Sequence, residues 1–297
     1  MKNLTVIIVT YQTTKNTIIN CLNSIDKKIN VKIVENSEKF EFQHEVLTTF
    51  KNVEIICTGK NLGYGGGNNH GLNMVTTDYA LILNPDVICE ENYFLNLSKI
   101  IKEIGDFTLI GSQYIEEDIL PPAGFFEKKK NNDFKIKFEQ KRIQQIEKVE
   151  WIKGFSILIN LKKFTDQKIF DESYFLFNEE IDLCKSIVDK GENIFTCSDL
   201  KLKHLGFKSS IGKNENEAKL IKKMKEWHWM WSSFYFYKKN YGYMNALFKM
   251  SGKFIKSFFK LIYFSLTFQK QKREKYFYRF LGIFNSMIGN PSSFRDK

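Results

Sequence analysis

Residues 4–12 read LTVIIVTYQ: an unbroken run of aliphatic and β-branched side chains followed by Thr10, Tyr11 and Gln12. A segment apolar on both faces suits a strand buried between helices, so residues 4–9 are expected to form a parallel strand deep in a sheet. Working outward, residues 13–25 read as a helix. Residues 31–34 form a second apolar run closed by Glu35, Asn36 and Ser37, and residues 53–57 a third, with a mixed helical segment between them. After the glycine-rich stretch 61–69 a short helix is expected to residue 75, then a strand over 79–83 broken by Asn84-Pro85-Asp86. Strand and helix in alternation predict a doubly wound α/β sheet. Ligands of such sheets bind beyond the carboxyl ends of the strands, so Thr10-Tyr11, Glu35-Asn36-Ser37 and Asn84-Pro85-Asp86 are expected to converge on one crevice.

Composition limits the remaining choices. Of 297 residues 43% are hydrophobic and only 4 are Pro, which excludes disordered and collagen-like classes. The net charge of +11 is unevenly placed: residues 1–200 hold 24 basic and 29 acidic side chains, residues 201–297 hold 21 and 5. Five scattered cysteines without CxxC spacing indicate neither a disulfide framework nor a zinc site and fit a reducing cytosol. The opening apolar run is too short for a signal peptide, and no uncharged stretch reaches the roughly 18 residues of a spanning helix.

Further along, residues 116–150 are charged and aperiodic and read as an excursion from the sheet. Strands are expected over 156–160 and 193–197. Between them Asn178 is expected to cap a helix that carries Glu179, Glu180 and Asp182 in its first turn and stops at Gly191. From about Asn214 the pattern is helical and aromatic, so two parts are expected, 1–214 and 215–297.

Candidate chemistry follows from residue type and place. The stretch Gly63-Tyr64-Gly65-Gly66-Gly67 is not a nicotinamide fingerprint, because it does not follow the first strand and Asn68 stands where a third glycine is needed. Its glycines either admit a ligand close to the backbone or form a flexible turn. Asp86 supplies one carboxylate at a sheet edge, enough for Mg²⁺ when water and phosphate oxygens complete the shell; the other reading is a turn residue capping the next helix. The acids at 179, 180 and 182 are favoured by the helix macrodipole whatever their role. His204 lies just past the last strand, as a ligand or a structural histidine.

These pieces together resemble the family 2 glycosyltransferases of GT-A fold, in particular the bacterial rhamnosyltransferase-like branch. The resemblance rests on VIIVTYQ, VENS, KNLGYGGGNNHGLN, LNPDV, WIKG, NEEIDL, KHLG and GIFNSMIGNPSSFR in this order. It implies a mixed, mostly parallel sheet flanked by helices, with a helical C-terminal appendage. It also implies an inverting transfer of a sugar, rhamnose favoured, from dTDP-rhamnose or a UDP-sugar to a glycan or polyprenyl-linked acceptor in cell-surface polysaccharide synthesis, the alternative being a catalytically weak nucleotide-sugar-binding homologue. By resemblance Thr10, Tyr11 and Glu35 take the nucleoside, and Asn61, Gly63, Asn68 and Asn84 line the donor. Asp86 and His204 ligate Mg²⁺ or Mn²⁺. Glu180 is the general base with Asp182 in support, while Trp151, Gly154 and Glu179 border the sugar or acceptor. Where relatives often carry Asp, positions 35 and 180 hold Glu, and Asn84 replaces the first acid of a D-x-D pair.

In the C-terminal part Lys249, Lys253, Lys256 and Lys260 share an edge of a helix, with Phe254, Phe258, Leu261 and Ile262 towards the other side. With Trp227, Trp229, Trp231, Phe234, Tyr235, Phe236 and Tyr237, and with the basic residues 270, 272, 273 and 275, this reads as contact with an anionic membrane surface. The expected location is therefore peripheral, on the inner face of the plasma membrane. The alternative is a helical appendage packed on the catalytic part. A nucleic-acid binder would account for the charge but leaves the converging strand ends unexplained, so no nucleic-acid partner is expected.

Overall fold

The computed structural model describes residues 3–114, 123–126, 146–166, 168–205 and 214–295. Much of the expected excursion over 116–150 lies outside the described residues. The chain divides into two compact units, one of Met1–Phe170 with Leu183–Ile211 and one of Asp171–Asp182 with Gly212–Lys297.

The first unit is built on a mixed sheet. β1 (Leu4–Thr10), β2 (Asn30–Glu35), β3 (Val53–Cys57) and β4 (Tyr79–Leu83) are parallel in the order β3-β2-β1-β4, with α1 (Lys15–Asn23), α2 (Gln43–Thr49) and α3 (Gly63–Leu72) in the connections. Beyond them come β5 (Val87–Cys89), α4 (Tyr93–Ile104), β6 (Leu109–Tyr114), β7 (Ala123–Gly124), β8 (Ile146–Val149), β9 (Trp151–Ile152) and β10 (Ser156–Asn160). α5 (Glu179–Asp189) and β11 (Ile194–His204) follow. The sheet continues past β4 as β10-β6-β11-β5: β10 runs antiparallel to both its neighbours and β11 parallel to β6, while β7 and β9 form a small separate sheet. The doubly wound mixed sheet with flanking helices and a helical C-terminal region is thus observed. β1 is buried along almost its whole length, as its unbroken apolar run requires.

The glycine-rich stretch departs from its expectation. No helix waits beyond it; the glycines themselves form α3. A Cβ at Gly71 would meet Ile7 at 2.8 Å and Val34 at 2.9 Å, and one at Gly67 would meet Val9 at 2.8 Å. Absent side chains let this helix lie tight on β1 and β2, which outweighs glycine's poor helix propensity of about 1 kcal/mol per residue. α4 was not anticipated, although its Tyr93, Phe94, Leu97 and Ile100 repeat at helical spacing and are buried.

The second unit contains α6 (Glu215–Tyr241), α7 (Tyr243–Leu266) and α8 (Lys270–Met287). Asn214 caps α6: its Oδ1 accepts from the Glu217 N–H at 3.0 Å and its amide donates to the Glu217 carboxylate at 3.1 Å. Met230, Phe234, Ala246, Met250 and Ile283 form the core of this unit. A Cβ at Gly282 would stand 2.3 Å from the Trp227 carbonyl oxygen, so only glycine admits the close α6–α8 crossing. Four of the α6 aromatics correct the sequence expectation of headgroup contact, Trp227, Trp231, Phe234 and Phe236 being buried, whereas Trp229 is exposed and Tyr235 and Tyr237 are half-buried. The Trp231 indole N–H is satisfied by the Asn290 carbonyl at 2.9 Å. The lysine edge of α7 is also partly engaged, Lys260 donating to the Tyr276 hydroxyl at 3.0 Å.

Candidate active site

The carboxyl ends of β2, β1 and β4 lie side by side in the first unit, so the expected convergence of their polar segments is observed. Thr10 and Glu35 are register partners, and both are buried. The Thr10 hydroxyl donates to Glu35 Oε2 and the Ser37 hydroxyl to Oε1, each at 2.6 Å. These donors fix the carboxylate. Asn36, which the sequence reading left without a role, ties this edge to α3: its N–H reaches the Thr10 carbonyl at 2.8 Å and its amide the Gly63 carbonyl at 2.8 Å. Asn61 Oδ1 accepts from the Gly63 N–H at 3.0 Å, and Gly63 has φ 77°, a left-handed value suited to glycine. Tyr11 follows half-buried, and Gln12 has φ 51°.

Asn84 and Asp86 occupy the turn between β4 and β5. The Asn84 N–H donates to the Phe155 carbonyl at 2.9 Å, and the Asp86 carbonyl accepts from the Leu205 N–H at 2.9 Å. Asp86 is 1% exposed, and its Oδ1 lies 3.5 Å from His204 Nε2. The His204 ring rests 5.6 Å from that of Phe155. Carboxylate and imidazole are both ligand types for divalent cations. Two ligands about 2.1 Å from one ion stand roughly 3.0–3.4 Å apart at octahedral to tetrahedral angles. At 3.5 Å the Asp86–His204 pair stands slightly wider than this range, so a shared ion would draw the two side chains together by a few tenths of an ångström. Among the described residues no group of three or more His, Cys, Asp or Glu side chains is placed to hold a metal, so water and ligand oxygens would complete the shell.

The remaining residues singled out in this unit mainly support the edge. Asn68 is buried, its amide donating to the Tyr64 carbonyl at 3.0 Å, and its Oδ1 has no hydrogen-bond partner among the described residues. Tyr64 donates to the Gly154 carbonyl. Trp151 is buried with its ring against Gly124 and its N–H on the Phe125 carbonyl at 3.3 Å. Asn69, inside the quoted glycine-rich motif but assigned no role, pairs both ways with the Phe170 backbone at 2.9 Å.

Glu179, Glu180 and Asp182 belong to the second unit. Their helix does not begin on an ordinary cap: Phe177 and Asn178 have φ of 71° and 68°. The left-handed region is readily adopted by Asn178 and costs about 1–2 kcal/mol at Phe177. Asn178 still accepts the Asp182 N–H at its carbonyl, at 2.8 Å. Asp182 is buried and receives three donors: Lys239 donates to Oδ2 at 2.6 Å, Asn240 to Oδ1 at 2.9 Å and Tyr174 to Oδ1 at 3.1 Å. Burial, then the Asp182 charge, pushes the Tyr174 phenol up, which keeps it a donor. Glu179 is buried, and burial followed by the neighbouring Glu180 carboxylate holds its carboxyl well above the usual range. Glu180 is half-buried. Lys239 and Asn240 were not legible as partners because they lie 57 and 58 residues from Asp182.

Residues 5–182 match the model of the family described as Glycosyl transferase family 2. The chain is similar, at 23% identity over 207 residues, to the low-salt glycan biosynthesis hexosyltransferase Agl10 of Haloferax volcanii. That match spans 66% of this chain and 65% of Agl10. Among solved structures, the mannosyltransferase PcManGT from Pyrobaculum calidifontis, in complex with GDP-Man and Mn²⁺, aligns with TM-score 0.54 and 10% identity over 96% of this chain and 87% of that one. GalNAc-T7 with UDP, GalNAc and Mn²⁺ aligns with TM-score 0.55 and 11% identity over 78% of this chain and 50% of that one.

Proposed function

This chain belongs to glycosyl transferase family 2, and from that premise we propose that it is an inverting glycosyltransferase using a nucleotide-diphosphate sugar. The observation that carries the reading is the buried Asp86 with His204 Nε2 at 3.5 Å, on the sheet edge that also holds Thr10 and Glu35. Glu35, braced by two hydroxyls, accepts an N–H of the nucleobase. Asn61, Gly63 and Asn84 border the ribose and diphosphate. Asp86 and His204 hold Mg²⁺ or Mn²⁺, which when bound offsets the charge developing on the departing diphosphate. That the named structural neighbours carry Mn²⁺ beside UDP or GDP-Man supports this choice.

Glu180 accepts the proton of the acceptor hydroxyl as that oxygen attacks the anomeric carbon. The surroundings of the two acids support this assignment over Asp182. All three donors on Asp182 would have to be given up or weakened on protonation, whereas Glu180 is half-buried in the first turn of α5. One displacement inverts the anomeric centre without a covalent intermediate. The sugar is rhamnose from dTDP-rhamnose, with a UDP-sugar as the alternative donor, and the acceptor is a glycan or lipid-linked saccharide.

The test is a transfer and donor-hydrolysis assay across nucleotide-sugars with each metal, alongside calorimetric donor binding. Glu180→Gln is expected to lose transfer by about 10²–10⁴ while donor affinity changes little. Retained activity in that variant would move the base elsewhere.

A further inference from the structure

α7 is apolar on two sides. One face carries Ala246, Met250 and Phe264 into the core of the second unit, where they are buried. The other carries Met244, Phe248, Ile255, Phe259, Ile262 and Leu266, exposed by 42–74%. At 100° per residue these six fall within about 60° of one another, a stripe roughly 33 Å long. It ends at Phe268, 90% exposed and held out at φ 55°. Scattered exposed apolar residues need no explanation, but a continuous stripe of this length marks a contact surface.

Charge identifies the contact. From Trp227 to Arg273 there is no Asp or Glu and there are nine Lys or Arg. Lys256 flanks the stripe, and Lys270, Lys272 and Arg273 follow Phe268, all exposed. A second copy of this face would bring like charges together. An anionic bilayer satisfies both properties, taking apolar side chains below the headgroups and lysines among the phosphates. No helix of the described residues is long and apolar enough to cross a membrane, which agrees with α7 lying along one.

We propose that the outer face of α7, with Phe268 at its tip, embeds in the headgroup layer of a membrane rich in anionic phospholipid. This surface is distinct from the aromatic segment of α6, whose side chains are largely in the core, and the inference does not depend on the reaction assigned above.

The full chain is tested by co-sedimentation with vesicles of phosphatidylcholine alone or mixed with phosphatidylglycerol. Binding is expected to the mixed vesicles and to weaken with salt. Phe259→Glu with Ile262→Glu is expected to lower partitioning about a hundredfold, with circular dichroism unchanged because both side chains point outward. In a separate Phe259→Trp variant, brominated lipid is expected to quench the introduced indole. Undiminished binding by the double Glu variant, or no quenching in Phe259→Trp, would overturn the proposal. So would a lipid-free dimer that the double variant converts to monomer, since the stripe would then be a self-association face.

Discussion

Asp86 and Asp182 are both buried aspartates, and they differ in what surrounds the carboxylate. Asp182 receives a lysine, an amide and a phenol, a set of donors that locks a helix start and leaves it little to offer a substrate. Asp86 stands against an imidazole nitrogen at the end of a parallel strand, a pairing suited to a cation and a diphosphate. Burial of an acid does not mark a site; the chemistry of its neighbours does.

The largest expected effect breaks the comparison on the Asp86 side. Asp86→Asn keeps the shape but lowers the charge, and should reduce transfer by about 10²–10³ with a thermal midpoint near that of the wild type. Asp182→Ala should do the reverse. It leaves Lys239 without one of its two carboxylates and is expected to cost about 2–3 kcal/mol of stability in urea unfolding. If Asp182→Ala unfolded no earlier and instead lost only activity, the assignment of the two aspartates would be exchanged.

Smaller effects sharpen the contrast between scaffold and site. Gly71→Ala pushes α3 off β1 and β2 and should cost about 1–2 kcal/mol, measured by the same unfolding curves. His228 tests whether titratable groups of the second unit are structural. It is fully buried between the Phe294 carbonyl at 2.6 Å and the Ser292 hydroxyl at 2.9 Å, and burial brings its pKa down to about 3. Because the unfolded chain binds this proton below about pH 6.5 and the folded chain does not until about pH 3, stability from this residue falls as pH drops through that window. One pH unit below 6.5 costs about 1.4 kcal/mol. Comparing the wild type with His228→Gln at pH 7 and 5.5 isolates that share.

Much of the first unit was legible. The run at residues 4–9 and the polar ends at Thr10, Glu35 and Asp86 carry local signals, because a buried strand needs apolar residues on both faces and a strand end needs polar ones. α3 was not, because glycine count signals a loop unless the strand residues that would collide with a Cβ are known. The donors on Asp182 and the buried state of Trp227 and Trp231 depend on contacts many tens of residues away. The lysine edge of α7 was visible in the periodicity, but which of its apolar sides faces outward is decided by α6 and α8.

The central claim, that Asp86 and His204 together hold the metal and diphosphate end of the donor, is tested most directly by calorimetric titration of UDP and dTDP with and without Mn²⁺. Asp86→Asn and His204→Ala are titrated beside the wild type. The account predicts that Mn²⁺ tightens nucleotide binding in the wild type and that both variants lose this enhancement while remaining folded. An Mn²⁺ enhancement that survives unchanged in both variants would contradict it.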